Sequence, residues 1–254
     1  MSLSTIKRTV KRLLGVKTAR FLSILNRMLF PTKADVSELA YIKHMLNYVE
    51  NGDFVLDIGA NQGLWTKALS DKVGREGRVF AFEPVRETYQ TLLNNTRQLK
   101  NVSYYNIGLS ASAGTAEIFR DPVSNAPPSA AIVDTAVHIT NVTSLVKETI
   151  KINTLDEVSS SFETAISFVK IDVEGHEESV LSGALNFMKE HRPVIFMEIL
   201  REYWYPGMVG KSKAADLILH AGYVMYQVTP DGIVKNSSDF QVDFENFLFL
   251  SANR

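Results

Sequence analysis

The spacing of apolar residues changes character near residue 50. Before it, apolar positions recur at helical intervals: Leu3, Ile6, Val10, Leu13 and Leu14, then Phe21, Ile24, Leu25, Met28 and Leu29, then Val36, Leu39, Ile42, Leu46 and Val49. A period near 3.6 predicts three amphipathic helices, divided at Gly15 and Pro31 and stopped by Asn51-Gly52. From Phe54 onward, short apolar runs alternate with helical segments. Strands are predicted at 54–58, 78–82, 102–107, 166–172 and 194–199, with helices centred on Leu69, Leu92, Leu181 and Ile218. Pro193 opens the 194–199 strand, where a missing N–H does least harm, and Gly222 suits the position just past a helix end. Such alternation predicts a mostly parallel sheet covered on both faces. The runs at 223–228 and 247–250 have no helix between them and read as an antiparallel hairpin at one sheet edge. Residues 120–149 break the alternation with Asp121-Pro122 and Ala126-Pro127-Pro128. A connection of that length is a candidate lid over a site.

The pattern divides the chain into an N-terminal helical segment, 1–50, and an α/β domain, 51–254. With 254 residues and 45% hydrophobic residues, the chain buries a core without staples. It has no cysteine, which excludes disulfides, thiolate nucleophiles and cysteine-ligated zinc and fits a reducing, cytoplasmic setting. The net charge of −1 hides an asymmetry. Eight of the 27 basic residues fall in residues 1–34, which contain no acid, leaving nineteen against 28 acids in the rest. A basic tip on an acidic body is a partner signal. Three uses are open for it: contact with a membrane surface, a grip on RNA phosphates, and packing on the domain or across a homodimer. Nothing points to DNA. No run of 18 apolar residues exists to span a bilayer, and basic residues interrupt every apolar stretch that a signal peptide would need.

"VLDIGANQG", Val55 to Gly63, ends one strand and opens a helix. Gly59 and Gly63 flank a turn that lets backbone approach a ligand, beside the free N–H groups of a helix start. Asp57 puts a carboxylate at the strand's carboxyl end, where open α/β sheets bind ligands. Glu83 ends the next strand, at the spacing of an acid that accepts both hydroxyls of a ribose, although it also suits a helix cap. The dinucleotide fingerprint needs a second glycine where Asn61 stands. A carboxylate at Asp57 is an awkward neighbour for a diphosphate and a good one for an α-amino group. The balance favours S-adenosylmethionine over a dinucleotide.

"FVLDIGANQG", "AFEP", "NIGLS", "TLDE", "FVKIDVEGHEESVLSGA" and "FMEI", in that order, resemble the FkbM family of S-adenosylmethionine-dependent methyltransferases over residues 54–250. "KIDVEGHE" is the most specific of these. The resemblance implies a class I, Rossmann-like methyltransferase fold with a seven-stranded sheet and methyl transfer to a hydroxyl oxygen of a sugar, glycan or other small natural product. It implies that Asp57, Gly59, Asn61 and Gly63 line the methionine end, Glu83 holds the ribose, and Asn106, Ile107 and Gly108 lie near adenine. Ile107-Gly108 departs from the alanine-like residue common there. The helices before Asn51 fall outside the resemblance, and the Pro-Pro-aromatic element of many amino methylases is absent, which weakens the RNA methyltransferase alternative.

Within "FVKIDVEGHEE", alternation puts Phe168, Lys170, Asp172 and Glu174 on one face. A lysine in a covered strand needs a partner, and Asp172, Glu174 and Glu198 are the candidates. Asp172 and Glu198 end adjacent strands and so aim at one site. Methyl transfer to a hydroxyl requires alignment of the oxygen and removal of its proton. Asp172 is the first choice of base and Glu174 the second, with Glu198 and His176 nearby. In a metal-assisted alternative, Asp172 and Glu198 hold a divalent ion. Glu177 and Glu178 read as first-turn acids of the next helix, and Tyr203-Trp204-Tyr205 as either a sugar platform or loop packing.

Overall fold

The computed structural model describes residues 33–120, 130–132 and 146–252. The predicted helices before residue 33, and 121–129 and 133–145 of the candidate lid, lie outside the described residues. The chain divides into two compact units, Met1–Tyr41 and Ile42–Arg254. Helix α1 is Lys33–Met45, continued by a 3-10 turn at Leu46–Tyr48.

The larger unit alternates as its apolar pattern predicts: β1 Phe54–Ile58, α2 Leu64–Val73, β2 Arg78–Phe82, α3 Arg86–Thr96 and β3 Val102–Tyr105. After an insertion come α4 Leu155–Ser159, β8 Phe168–Ile171, α5 Glu177–Ser182, α6 Leu185–His191, β9 Val194–Glu198 and α7 Lys213–His220. The chain closes with β10 Tyr223–Thr229, β11 Gly232–Val234 and β12 Asn246–Ser251. The single helix expected around Leu181 is two short ones, parted at Gly183-Ala184, where a Cβ at Gly183 would come within 2.1 Å of the Ser110 carbonyl oxygen.

The main sheet has eight strands in the order β11-β10-β12-β9-β8-β1-β2-β3. β3, β2, β1, β8 and β9 run parallel, and β12 runs antiparallel between β9 and β10. This is the class I methyltransferase fold. Two details correct the sequence reading. The closing strands pair antiparallel, but β12 inserts inside the sheet, and the edge is β11, an eighth strand hidden in the turn after Thr229-Pro230. Pairing with both β9 and β10 buries Phe247, Leu248 and Phe249 completely, which an edge position would not.

Helices cover both faces. On one, Leu56, Ile58, Val169, Ile171 and Met197 share a core with Val180 and Leu181 of α5, Phe187 of α6 and Ile218 of α7. On the other, Trp65 of α2 packs on Phe196 with ring centroids 5.1 Å apart, and Leu92 of α3 packs on Ala81. Ile42, Met45 and Val49, which follow the predicted helical spacing, are buried.

A second sheet of four strands, β4-β7-β5-β6, was not anticipated: β4 Gly108–Leu109, β5 Gly114–Arg120, β6 Ala130–Ile132 and β7 Val146–Asn153. The expected continuous connection at 120–149 therefore has strand at both ends. β5 and β7 pair antiparallel along their length, with Lys147 and Glu117 bridging at 2.6 Å. Among the described residues no helix is long and apolar enough to cross a membrane.

Candidate active site

Strands β1, β2 and β8 end together and tie their carboxyl ends to one another. Gly59 N and Ala60 N both donate to the Phe82 carbonyl, and Asp172 N donates to the Ile58 carbonyl at 3.1 Å. Gly59 adopts φ +76°, and a Cβ there would sit 1.8 Å from the Asp172 carbonyl oxygen. Only glycine allows β1 and β8 to approach this closely. Gly63, φ +91°, is demanded by packing instead, since a Cβ would strike Leu92 and Thr96 of α3.

A cleft opens over these strand ends. Its wall includes Gly59 and Asn61 after β1, Glu83 and Val85 after β2, Gly108 on β4, and Asp172, Glu174 and His176 after β8. Ile118 and Ile150 of the second sheet close the apolar side. Sequence reasoning missed both, because the alternation in β5 and β7 was not read as strand. The cleft thus gathers eight of the anticipated residues, Ile107 among them. Asp57, Gly63 and Asn106 do not reach its wall. Asn106 turns its side-chain amide to the carbonyls of Glu83 and Pro84, at 2.8 and 3.0 Å, and so fixes the β2 end. Glu198 ends β9, adjacent to β8, and the charges of Asp172 and Glu174 act on it.

Lys170 has the partner that a buried ammonium requires, and it is more than the strand alternation suggested. Lys170 is 3% exposed and Asp57, its neighbour in register across β1 and β8, is 0% exposed. The ammonium lies 3.7 Å from Asp57 Oδ1 and 3.4 Å from Asp172 Oδ2, and donates to the Gly59 carbonyl at 2.8 Å. Thr66 of α2 donates to Asp57 Oδ2 at 2.6 Å. Burial pushes the Asp57 carboxyl up, while Lys170 and Thr66 oppose that rise. The strand ends at Ile171, so the one-face pattern stops at Asp172. Glu174 sits at φ +53° and Gly175 at φ +94°, a left-handed turn that swings Glu174 over the cleft.

Carboxylates dominate the charge here. Glu83 is pushed up to about 7 by burial, although Val85 N and Asn61 N donate to its two oxygens at 2.9 and 3.0 Å and pull the other way. Glu174 also rises to about 7, through burial and then the Asp172 charge, with Lys170 opposing. Glu198 is raised well above its usual range by burial and by Asp172, Glu174 and Glu245. Glu177 stands in the first turn of α5, as its sequence position predicts, and does more than cap a helix. It is buried, accepts from Gly175 N at 2.9 Å, and rises to about 7 chiefly through burial. Glu178, also in the first turn as expected, is exposed and lies 3.8 Å from Lys213.

His176 Nε2 lies 3.0 Å from the hydroxyl of buried Ser110, a contact the sequence did not signal. The aromatic loop divides. Trp204 donates to the Ile199 carbonyl at 2.9 Å and packs edge-on against Phe247, so it serves the core. Tyr203 covers Gly175, where a Cβ would fall 2.5 Å from its ring, and Tyr205 donates to Asp216 Oδ2 at 2.8 Å. Thr154 accepts from Glu157 N at 3.1 Å, so the "TLDE" motif is a helix cap. Among the described residues no group of three or more His, Asp or Glu side chains is arranged to hold a metal ion, so the Asp172–Glu198 metal alternative lacks a ligand set there.

A 156-residue stretch is 32% identical to the hexuronic acid methyltransferase AglP of Haloferax volcanii, covering 61% of this chain and 59% of that protein. The chain therefore spans less than two thirds of that relative's length. Among solved structures, the methyltransferase FkbM of Methylobacillus flagellatus KT is 20% identical with a TM-score of 0.48, over 79% of this chain and 43% of that one. Aeropyrum pernix fibrillarin, solved with natively bound S-adenosyl-L-methionine, is 13% identical with a TM-score of 0.48, over 83% and 72% of the two chains. The model of the methyltransferase FkbM domain matches residues 57–225, from the glycine turn through the strand after α7. The chain belongs to the FkbM methyltransferase family.

Proposed function

We propose that this methyltransferase moves a methyl group from S-adenosylmethionine to a hydroxyl of a sugar. The observation that carries the reading is the surplus of buried carboxylate around one lysine at the carboxyl ends of β1, β2 and β8. Such a site is preorganised for a cation, and a sulfonium with an adjacent α-ammonium is one. Among the described residues, buried Asn61 Oδ1 in the cleft has no hydrogen-bond partner, and Asp57 Oδ1 behind it has only the Lys170 ammonium, 3.7 Å away. Unmet acceptors of this kind suit a ligand rich in N–H and O–H. Glu83 would accept the ribose hydroxyls on the lone pairs that Val85 and Asn61 leave open. The close backbone at Gly59 would meet the methionine portion, and Ile118, Ile150 and Val85 would enclose the adenine. The cofactor supplies an electrophilic methyl carbon on sulfur.

The protein's remaining tasks are alignment and proton removal. Glu174 lines the cleft with an affinity for protons near neutrality, the condition under which a general base works best. It displaces Asp172, whose Oδ2 faces the Lys170 ammonium, as the preferred base. A carboxylate acceptor would be repelled by Asp172, Glu174 and Glu198, so the surplus favours a neutral hydroxyl. The name of the hexuronic acid methyltransferase relative supports a sugar as the acceptor class. Incubation with methyl-labelled S-adenosylmethionine and a panel of hexosides and hexuronides tests this. The reading expects label in an alkali-stable ether; label only in an alkali-labile ester, or none on any sugar, refutes it.

A further inference from the structure

A second cavity of about 350 Å³ lies beside the cleft, between the turn after β8 and the loop after β9. Its volume falls within the roughly 300–1,000 Å³ of small-molecule sites. His176 lines both the cleft and this cavity, and no other described residue does. We propose that this cavity holds the acceptor as a pyranose ring, presenting one hydroxyl past His176 to the methyl-donor cleft. This rests on the sugar methyltransferase reading above.

The wall chemistry fits a pyranose, which has an apolar C–H face and a polar rim. Tyr203 and Tyr205 contribute flat rings, and both are already fixed. The Tyr203 ring is seated on Gly175, and the Tyr205 hydroxyl is held by Asp216. A sugar stacking there would pay little ordering entropy. Ser179, Glu178 and Lys213 supply hydroxyl, carboxylate and ammonium around the same space. Glu178 and Lys213 are exposed and 3.8 Å apart, a loose pair that hydroxyls can join at small cost. Glu174 lines the adjoining cleft, so a hydroxyl held here and reaching past His176 would meet the base on the methyl-donor side, the alignment that in-line displacement needs.

The test is saturation-transfer difference NMR on the full chain with S-adenosylhomocysteine and the methyl glycosides of glucose, mannose, galactose and glucuronic acid. The proposal expects transfer to the ring protons of at least one sugar. That transfer should survive Ser179→Ala and vanish in Ser179→Trp, whose indole fills the cavity. If Ser179→Trp does not fold, Tyr205→Leu should cut the sugar signal about fivefold. No transfer to any sugar overturns the proposal, as does full transfer in Ser179→Trp or in Tyr205→Leu. S-adenosylhomocysteine signals in the same sample separate the two readings. Their persistence without sugar signals rejects the cavity alone, and their absence rejects the donor cleft.

Discussion

Replacing Lys170 by Met tests whether the buried ion cluster is as closely balanced as its geometry implies. The ammonium lies 3.7 Å from Asp57 and 3.4 Å from Asp172, and donates to the Gly59 carbonyl. Methionine keeps most of the volume but leaves Asp57, fully buried, with Thr66 as its remaining hydrogen-bond donor. Removing one member of a buried pair typically costs about 3–5 kcal/mol. For a chain of this size that lowers Tm by roughly 6–20 °C. The deficit should depend on pH in a defined direction. Without Lys170 the folded-state pKa of Asp57 rises further above its unfolded value. The stability that this group contributes is then full below the unfolded carboxylate range and lost as pH rises. The variant should approach wild type near pH 4 and fall away toward pH 8. Converting Asp57 to Asn in the same chain removes the stranded charge and should restore part of the loss, so the two changes are not additive. Urea unfolding of the four proteins of this cycle, at pH 5 and pH 8, is the assay. A loss under about 1 kcal/mol, or strict additivity, would refute the account of the cluster.

Gly59→Ala should lower stability by about 3 kcal/mol or more, because its Cβ would overlap the Asp172 carbonyl in a left-handed turn; denaturant unfolding at wild-type levels would contradict this. Log kcat/KM should rise with pH and level off above about 7, as Glu174 must lose its proton to serve as base. Glu174→Gln should flatten that rise and lower kcat by about 10²–10⁴-fold, and an unchanged profile would return the role to Asp172. Affinity for S-adenosylhomocysteine should weaken as pH falls below about 7, where Glu83 takes up a proton and becomes a poorer acceptor for ribose hydroxyls. Calorimetry across pH 6–8 should show that dependence lost in Glu83→Gln.

What could be read from the sequence was what local spacing controls. The short apolar runs at β1, β2, β8 and β9 and the helical stripes between them place the parallel sheet, and Gly59 and Glu83 mark its ligand-binding end. What could not be read depends on distant partners. The pairing of Lys170 with Asp57 follows from the register of β8 on β1, which joins residues far apart in the chain. Only three-dimensional contact shows that Glu177 folds back onto Gly175, or that Tyr203 covers that glycine. β5 and β7 escaped because their alternation is half exposed and charged, as in Lys147, Glu148 and Lys151, and stands beside a proline-rich stretch. The order of the last strands escaped for another reason. Antiparallel pairing of β10 and β12 is local, but insertion of β12 beside β9 is decided by burial of Phe247 and Phe249.

Isothermal titration of the 254-residue chain with S-adenosylhomocysteine at pH 8 tests the central claim most directly, because the whole account turns on what the acidic cleft binds. The account predicts a single site with an affinity on the order of micromolar, lost in Glu83→Ala. The absence of binding up to about 1 mM, or binding indifferent to Glu83, would contradict it.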